Sequence, residues 1–166
     1  MNKKFYINFL TIFGIGKIKY APGTFASLFA CLFYFYLFSQ NVNFSIILIF
    51  YFFIIISSIN LISHLSKHFK KKDPKEIVID EFIGQSIPIL FLYALFINTQ
   101  DRELFYFLTP ITFILFRFFD ILKPFPINLI DKKMKNSLGV ILDDILAGLF
   151  SIISLFLIIW LLGAFI

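Results

Sequence analysis

The sequence has little charge and almost no cysteine. Asp, Glu, Lys and Arg make up 15% of its 166 residues and 60% are hydrophobic, whereas about a quarter of a soluble domain is charged. A domain of this length buries only about 70% of its unfolded surface, so too few polar side chains remain to cover a water-exposed exterior. This argues against a soluble enzyme, a disordered regulator and a coiled coil. A single cysteine, Cys31, allows no internal disulfide and argues against a secreted disulfide scaffold.

Charged residues are also missing from long segments of the chain. None occurs between Lys19 and Lys67, and that stretch can hold two apolar helices of about 20 residues separated by a polar turn at residues 39–43. The pattern predicts an all-α fold, a multi-pass helical membrane bundle of about five spans in one domain over residues 1–166. The predicted spans are Phe25–Phe38, Phe44–Ser63, Phe82–Asn98, Leu104–Phe119 and Ile145–Ile166.

The fourth predicted span is short. Leu104–Phe119 would reach about 24 Å as a helix, below the roughly 30 Å of a bilayer core, so four spans are an alternative to five. The basic amino terminus is followed by no small-residue cleavage site, and we expect it to be retained rather than removed as a signal peptide.

The charges that are present sort to one side of the predicted bundle. With five spans and the amino terminus inside, Arg102 is the one Lys or Arg outside, and the positive-inside rule makes the basic face cytoplasmic. Asp101 and Glu103 are the only acids outside, a bias that this rule does not require and that suggests chemistry on the inner face. An anionic bilayer surface accounts for the net charge of +5. Because the basic residues form no dense stripe, no nucleic-acid partner is expected.

Adjacent acids occur where two of the predicted spans begin. Asp80 and Glu81 precede the third span, and Asp143 and Asp144 precede the fifth. Neighbouring like charges repel, and a charged acid at mid-bilayer costs about 2.5–3.5 kcal/mol on insertion scales. Together with Asp120, these acids need compensation, which a divalent cation supplies. Oxygen ligands without histidine or cysteine indicate Mg²⁺.

Cationic side chains and a helix start could bind phosphate nearby. Arg117, Asp120 and Lys123 recur every three residues and therefore share one side of a helix. In the Ala-Pro-Gly-Thr segment at residues 21–24, Thr24 is predicted to cap the first span and glycine to form a tight turn, with Ser27 one turn later. The free N–H groups of such a helix start favour a phosphate. An ordinary cap and an ion-paired helix end are the structural alternatives.

Together these clusters describe metal-assisted chemistry on a phosphate at a membrane surface. Other phosphatase chemistries lack their residues, because Cys31 has no arginine nearby and no Gly-x-Ser-x-Gly motif occurs. The two histidines, His64 and His68, are expected to be structural or solvated. We expect the Lys67–Lys75 segment to be solvated and to face lipid headgroups.

Four motifs, in order and spacing from about residue 10 to 155, resemble the phosphatidylglycerophosphatase A family. They are Ala21-Pro22-Gly23-Thr24 with Ser27, residues 77–84 (IVIDEFIG), residues 116–126 (FRFFDILKPFP) and residues 139–148 (GVILDDILAG). The resemblance implies an all-helical, magnesium-dependent lipid phosphatase of the bacterial inner membrane. Its substrate would be phosphatidylglycerophosphate and its products phosphatidylglycerol and phosphate, with the site facing the cytoplasm.

The resemblance also implies roles for individual residues. The metal ligands would be Asp80, Glu81, Asp143 and Asp144, and Asp120 would complete the metal shell or orient water. Arg117 and Lys123 would bind the substrate phosphate, with Thr24 and Ser27 helping. The sequence departs from the family at Ala26, where glycine is usual, and at residues 136–138, where glycines usually precede the last acidic pair. Neither departure removes a charged group, so we expect activity to be retained.

The nucleophile stays open at this point, and two alternative functions are considered. The nucleophile would be a metal-activated water, our preference, or an aspartate at position 80, 143 or 144 that forms an aspartyl-phosphate. A small cation transporter is the alternative function, although acids at span ends rather than mid-span favour surface catalysis. A non-catalytic membrane adaptor gives no reason for so many acids on one face.

Overall fold

The computed structural model describes residues 3–66, 76–98, 101–134 and 136–163, which form α-helices and one 3₁₀ turn and contain no strand. The predicted Lys67–Lys75 segment and His68 lie outside these residues. The helices are α1 (Lys3–Leu10), α2 (Pro22–Ser39), α3 (Phe44–Ser66), α4 (Ile79–Phe96), α5 (Arg102–Leu122), α6 (Ile127–Lys133) and α7 (Ser137–Gly163), with the 3₁₀ turn at Ile15–Lys17.

Five helices, α2, α3, α4, α5 and α7, are long and apolar enough to cross a membrane by length and composition. The prediction of an all-α bundle of about five spans is confirmed, and the count, which the sequence leaves open between four and five, is five by this measure. The fourth is not short, since α5 has 21 residues and is about 32 Å long. Four spans begin earlier than predicted, at Pro22, Ile79, Arg102 and Ser137. Hydropathy marks the apolar part of a helix and misses polar turns that continue the same backbone.

Successive long helices run in opposite directions, so the start of one helix lies at the same end of the bundle as the end of the next. At one end of the bundle, α2, α4 and α7 begin and α5 ends. At the other end the Arg102 guanidinium donates a hydrogen bond of 2.6 Å to Asn41 Oδ1, which ties the start of α5 to the α2–α3 turn. Helix α4 is central, because 61% of its residues are buried and it contacts α2, α3, α5 and α7.

Two glycines bring α4 and α7 into direct backbone contact. A Cβ added at Gly84 would lie 2.7 Å from the Asp144 carbonyl oxygen, and one added at Gly148 would lie 3.0 Å from Ile87 Cβ. Small residues allow such close approach between membrane helices. Asp80 and Asp144 lie one turn before Gly84 and Gly148, so this contact sets the spacing of the two acidic segments.

The outward faces of the bundle are apolar. Large side chains such as Phe53, Ile114, Ile153 and Trp160 are more than 60% exposed. In water, so much contiguous apolar surface would drive association, whereas lipid solvates it. At the end of the bundle where α2, α4 and α7 begin, α1 packs through Tyr6 against the ring of His64.

We predict that Gly84→Ala destabilises the bundle. The new methyl group would meet backbone and Cβ atoms of Asp144 that belong to a packed helix and cannot move independently. Overpacking of this kind costs about 1–3 kcal/mol, and the thermal unfolding midpoint in detergent should fall by several degrees. Gly163→Ala, which meets nothing within 4 Å, is the control. Equal unfolding midpoints for the two variants would contradict the proposed contact.

Candidate active site

A cavity of about 560 Å³ opens at the end of the bundle where α2, α4 and α7 begin. Segments from five helices and the loops beside them form its wall, so residues far apart in sequence meet there. Its lining comprises Ala21, Pro22, Gly23, Ile77, Asp80, Glu81, Arg117, Asp120, Lys123, Asp131, Met134, Gly139, Val140, Asp143 and Asp144. All seven predicted charged site residues are in this set.

Three of the predicted metal ligands converge in the cavity. Asp80 and Glu81 in the first turn of α4 and Asp144 in the second turn of α7 each place a carboxylate oxygen within 4.8 Å of the other two. Asp80 Oδ1 and Glu81 Oε2 are buried and have no hydrogen-bond donor in the part of the chain that the structure describes. Carboxylates that repel one another, and whose buried oxygens accept no hydrogen bond, form a ligand set that fits a hard divalent cation.

Asp143, the fourth predicted ligand, points to a different partner. It lines the same cavity, but its Oδ2 accepts a hydrogen bond of 2.6 Å from Lys123 Nζ. Its other oxygen, Oδ1, is buried and has no donor among the described residues. The two acids of this pair therefore differ in environment, with Asp144 beside Asp80 and Glu81 and with Asp143 beside the lysine.

The first turn of α2 packs against Glu81. A Cβ at Gly23 would overlap Glu81 Oε1, so the glycine leaves room for the carboxylate. The predicted tight turn at this glycine is wrong, because Ala21 has the positive φ of 48° and Pro22 begins the helix. The predicted cap at Thr24 is also wrong. The N-cap is Ala21, and Thr24 lies inside the first turn, where its backbone N–H donates to the Ala21 carbonyl at 3.0 Å.

Thr24 and Ser27, the predicted helpers in phosphate binding, are not among the residues that line the cavity. Ser27 is completely buried one turn further along α2, and its hydroxyl donates to the Gly23 carbonyl at 2.9 Å. This bond satisfies the hydroxyl within the helix. Ala26, where the family usually has glycine, is also completely buried, so its methyl group is accommodated in the packing.

Arg117 and Asp120 form an ion pair on one side of the last turns of α5. Arg117 Nη1 donates to Asp120 Oδ2, and the two side chains are only 17% and 13% exposed. Arg117 Nε is buried and has no acceptor among the described residues. The predicted ion-paired helix end is therefore present. It borders the cavity, and Arg117 Nε is the donor that could bind a further acceptor there.

Lys123 is the C-cap residue of α5, and its ammonium group forms hydrogen bonds to two carboxylates. Its backbone is left-handed, with φ of 42°, a conformation that costs a non-glycine residue roughly 1–2 kcal/mol. Its Nζ donates to Asp131 at 2.9 Å and to Asp143 at 2.6 Å. Burial lowers the pKa of this ammonium, but the two carboxylates outweigh that effect and raise the pKa above its ordinary value. Lys123 is therefore a permanent cation of the cavity at neutral pH.

Asp131 is a cavity residue that the sequence analysis missed. It comes from α6 and bonds Lys123 at the rim, where its side chain is 46% exposed. The sequence feature that could have identified Asp131 is its position as the one acid between Lys123 and Asp143. No periodicity connects it with the other motifs, because a separate short helix carries it.

Comparison with known proteins identifies a family. The model of the phosphatidylglycerophosphatase A family matches residues 8–159. A Haemophilus influenzae protein named phosphatidylglycerophosphatase A is 36% identical over 144 residues, 87% of this chain and 82% of the relative. An Escherichia coli K12 protein of the same name is 31% identical over 140 residues, 84% of this chain and 74% of the relative.

A third relative has a different name. A Bacteroides thetaiotaomicron protein named "Putative phosphatidylinositol-3-phosphatase" is 35% identical over 92 residues, 55% of this chain and 53% of the relative. No solved structure matches the chain.

We predict that Asp131→Asn weakens the hold on Lys123 without removing its charge. An exposed ion pair of this kind contributes about 0.2–1 kcal/mol, so phosphatase activity measured as kcat/KM should fall about two- to fivefold, and Asp131→Glu should restore most of it. Asp101→Asn removes an exposed acid near the opposite end of the bundle and should leave activity unchanged. Equal effects of Asp131→Asn and Asp101→Asn would count against a positioning role for Asp131.

Proposed function

The chain belongs to the phosphatidylglycerophosphatase A family, and from that premise we propose that it hydrolyses phosphatidylglycerophosphate to phosphatidylglycerol and phosphate in a magnesium-dependent reaction. The observation that carries the proposal is the convergence of Asp80, Glu81 and Asp144 in one cavity with Arg117 and Lys123. Carboxylates for a cation and fixed positive groups for a phosphate are the two parts that metal-assisted phosphate hydrolysis requires.

The proposed magnesium site consists of Asp80, Glu81 and Asp144, and Asp143, which lines the same cavity beside Lys123, is proposed as a further ligand through its Oδ1. The buried oxygens without donors on Asp80, Glu81 and Asp143 support this assignment, because a cation would satisfy them. Bound magnesium would polarise the phosphoryl group and neutralise the charge that develops on it. In its absence the same acids repel one another and the anionic substrate.

Arg117 and Lys123 are proposed to bind the phosphate oxygens. Arg117 retains Nε as an unused donor, while the bond to Asp120 fixes the direction of the guanidinium. Lys123 is fixed by two carboxylates and keeps its proton, so it contributes positive charge rather than acid–base chemistry. Fixed donors of this kind stabilise charge without reorganisation during the reaction.

Hydrolysis breaks the bond between phosphorus and the terminal glycerol oxygen. In the preferred route, the oxygen of a water attacks phosphorus and one of its protons passes to a cavity carboxylate. The bond from phosphorus to the glycerol oxygen breaks, and that oxygen takes up the proton from the carboxylate to leave as the alcohol of phosphatidylglycerol. Asp120 is held by Arg117 at the cavity wall and is a candidate to orient that water. In the alternative route, Asp80, Asp143 or Asp144 attacks first, and water then cleaves the aspartyl-phosphate.

The position of the acids supports catalysis over cation transport. Asp80 and Glu81 lie in the first turn of α4, and Asp143 and Asp144 lie in the second turn of α7. A transport path would place acids at mid-span. With the positive-inside rule, the same positions favour a site on the cytoplasmic face of the bacterial inner membrane, where a lipid headgroup enters from the bilayer surface.

We predict that the purified protein releases phosphate from phosphatidylglycerophosphate with Mg²⁺ and loses this activity with EDTA. Asp80→Asn and Asp144→Asn should each lower kcat at least about a hundredfold, because ligand loss exceeds the 10–100-fold effects of outer-shell changes. Glu103→Gln, an exposed acid at the opposite end of the bundle, should be fully active. Normal Mg²⁺-dependent turnover in both aspartate variants would refute the site assignment.

The same assay should include two comparison lipids. Phosphatidate tests whether any lipid phosphomonoester is accepted, and phosphatidylinositol 3-phosphate tests the activity that the name of the Bacteroides relative suggests. We expect the highest kcat/KM for phosphatidylglycerophosphate. Faster hydrolysis of the inositol lipid would reassign the substrate and leave the metal-assisted chemistry intact.

The nucleophile can be assigned by trapping. If water attacks directly, acid-quenched enzyme that is turning over substrate labelled with ³²P in the terminal phosphate should carry no label on protein. Label that survives the quench and is released by hydroxylamine would indicate an aspartyl-phosphate and would exclude the preferred route. The Asp80→Asn protein controls for noncovalent carry-over.

A further inference from the structure

A second, smaller cavity adjoins the first and contains two lysines. Its volume is about 380 Å³, and it is lined by Gly16, Lys17, Ile18, Lys19, Pro22 and Glu76. Pro22 also lines the first cavity, and Ile77 of the first cavity directly follows Glu76. The two spaces therefore share a wall that is built from the start of α2 and the segment before α4.

Backbone contacts hold the wall of the second cavity in place. A Cβ at Gly16 would overlap the carbonyl oxygen of Glu76, so the 3₁₀ turn packs directly on that segment. Gly16 N donates to the Thr11 carbonyl at 2.9 Å, and Val78 N donates to the Leu10 carbonyl at 3.0 Å. The lysines of the second cavity thus project from a backbone that is fixed relative to the first cavity.

Lys17 and Lys19 differ from the cations of the first cavity in their contacts with carboxylates. Arg117 and Lys123 are bonded to carboxylates. Within the part of the chain that the structure describes, neither Lys17 nor Lys19 forms an ion pair, although Glu76 lines the same space; Lys19 Nζ lies 5.3 Å from the Tyr20 ring centroid. An anion at this cavity would meet two positive charges against one negative charge.

The residues around the second cavity place it at the lipid boundary. Tyr20 is 73% exposed and Phe13 is 87% exposed, while Ile18 lines the cavity itself. Aromatic side chains next to lysines are typical of the bilayer interface, where headgroup phosphates lie. A substrate lipid with its chains in the bilayer would therefore present its headgroup to this cavity before its terminal phosphate reaches the acids.

We propose that the second cavity binds the phosphodiester of the lipid substrate through Lys17 and Lys19 while the terminal phosphomonoester occupies the first cavity. This inference rests on the proposed function, since phosphatidylglycerophosphate carries these two phosphates one glycerol apart. Adjoining cavities with separate sets of cations match that arrangement. The lysine pair then contributes to substrate binding and leaves the reacting bond to the first cavity.

The test is the double variant Lys17→Gln, Lys19→Gln, assayed in neutral detergent micelles so that no other anionic lipid is present. Loss of two charge-assisted contacts at a partly exposed site should raise KM for phosphatidylglycerophosphate about tenfold and leave kcat within about twofold. The inhibition constant of inorganic phosphate, a probe of the first cavity alone, should be unchanged. Lys132→Gln, Lys133→Gln removes the same charge from exposed positions on α6 and should leave KM unchanged.

Each other outcome overturns the inference. An unchanged KM would mean that the lysines do not bind substrate, whereas the proposed function would stand because the wild-type protein still turns over. A parallel rise in the inhibition constant of inorganic phosphate would mean that the lysines act on the first cavity or bind free phosphate. An equal KM rise in the α6 control would mean general attraction of anionic lipid. Wild-type protein that releases no phosphate from phosphatidylglycerophosphate would refute the proposed function and this inference with it.

Discussion

The direct contact of α4 with α7 is the constraint on which the site depends. At Gly84 and Gly148 the two backbones approach so closely that a methyl group has no room. One turn nearer to the cavity, this approach forces Asp80, Glu81 and Asp144 together. Packing of apolar helices in lipid thus supplies the free energy that holds mutually repelling carboxylates at one point.

The rest of the cavity offsets that repulsion in part. Asp120 has the guanidinium of Arg117, and Asp143 has the ammonium of Lys123. Among the described residues, the three acids at the α4–α7 contact form no ion pair, and two of their buried oxygens have no hydrogen-bond donor. Asp120 and Asp143, on the α5 side of the cavity, are thus paired with cations, whereas the proposed function assigns the acids between α4 and α7 to a bound cation. Lys123 accepts a strained backbone in the same place, as residues at functional sites often do.

The sequence was sufficient for the features that follow from solvation and local spacing. Apolar runs predicted five membrane helices, and the motifs at their polar ends predicted which charged residues would meet. It was insufficient where the answer depends on how each helix is rotated and where it starts. Ser27 faces the packed side of α2, Thr24 lies inside a helix that begins earlier, and Asp143 turns to a lysine rather than to the other acids. Asp131 was missed because α6, a short helix without a long apolar pattern, carries it to the rim.

The cavity wall joins the first long helix to the last one, and this has a consequence for biogenesis. A nascent chain that has emerged only as far as α5 already carries Asp80, Glu81, Arg117 and Asp120, but it lacks the α7 segment that supplies Asp144. Until α7 inserts, the α4 acids lack the close α7 backbone that packs against Gly84 and would stay accessible to water. Under the proposed function, a chain that lacks α7 would also lack the Asp144 carboxylate, and such a truncated product in the membrane would not hydrolyse lipid.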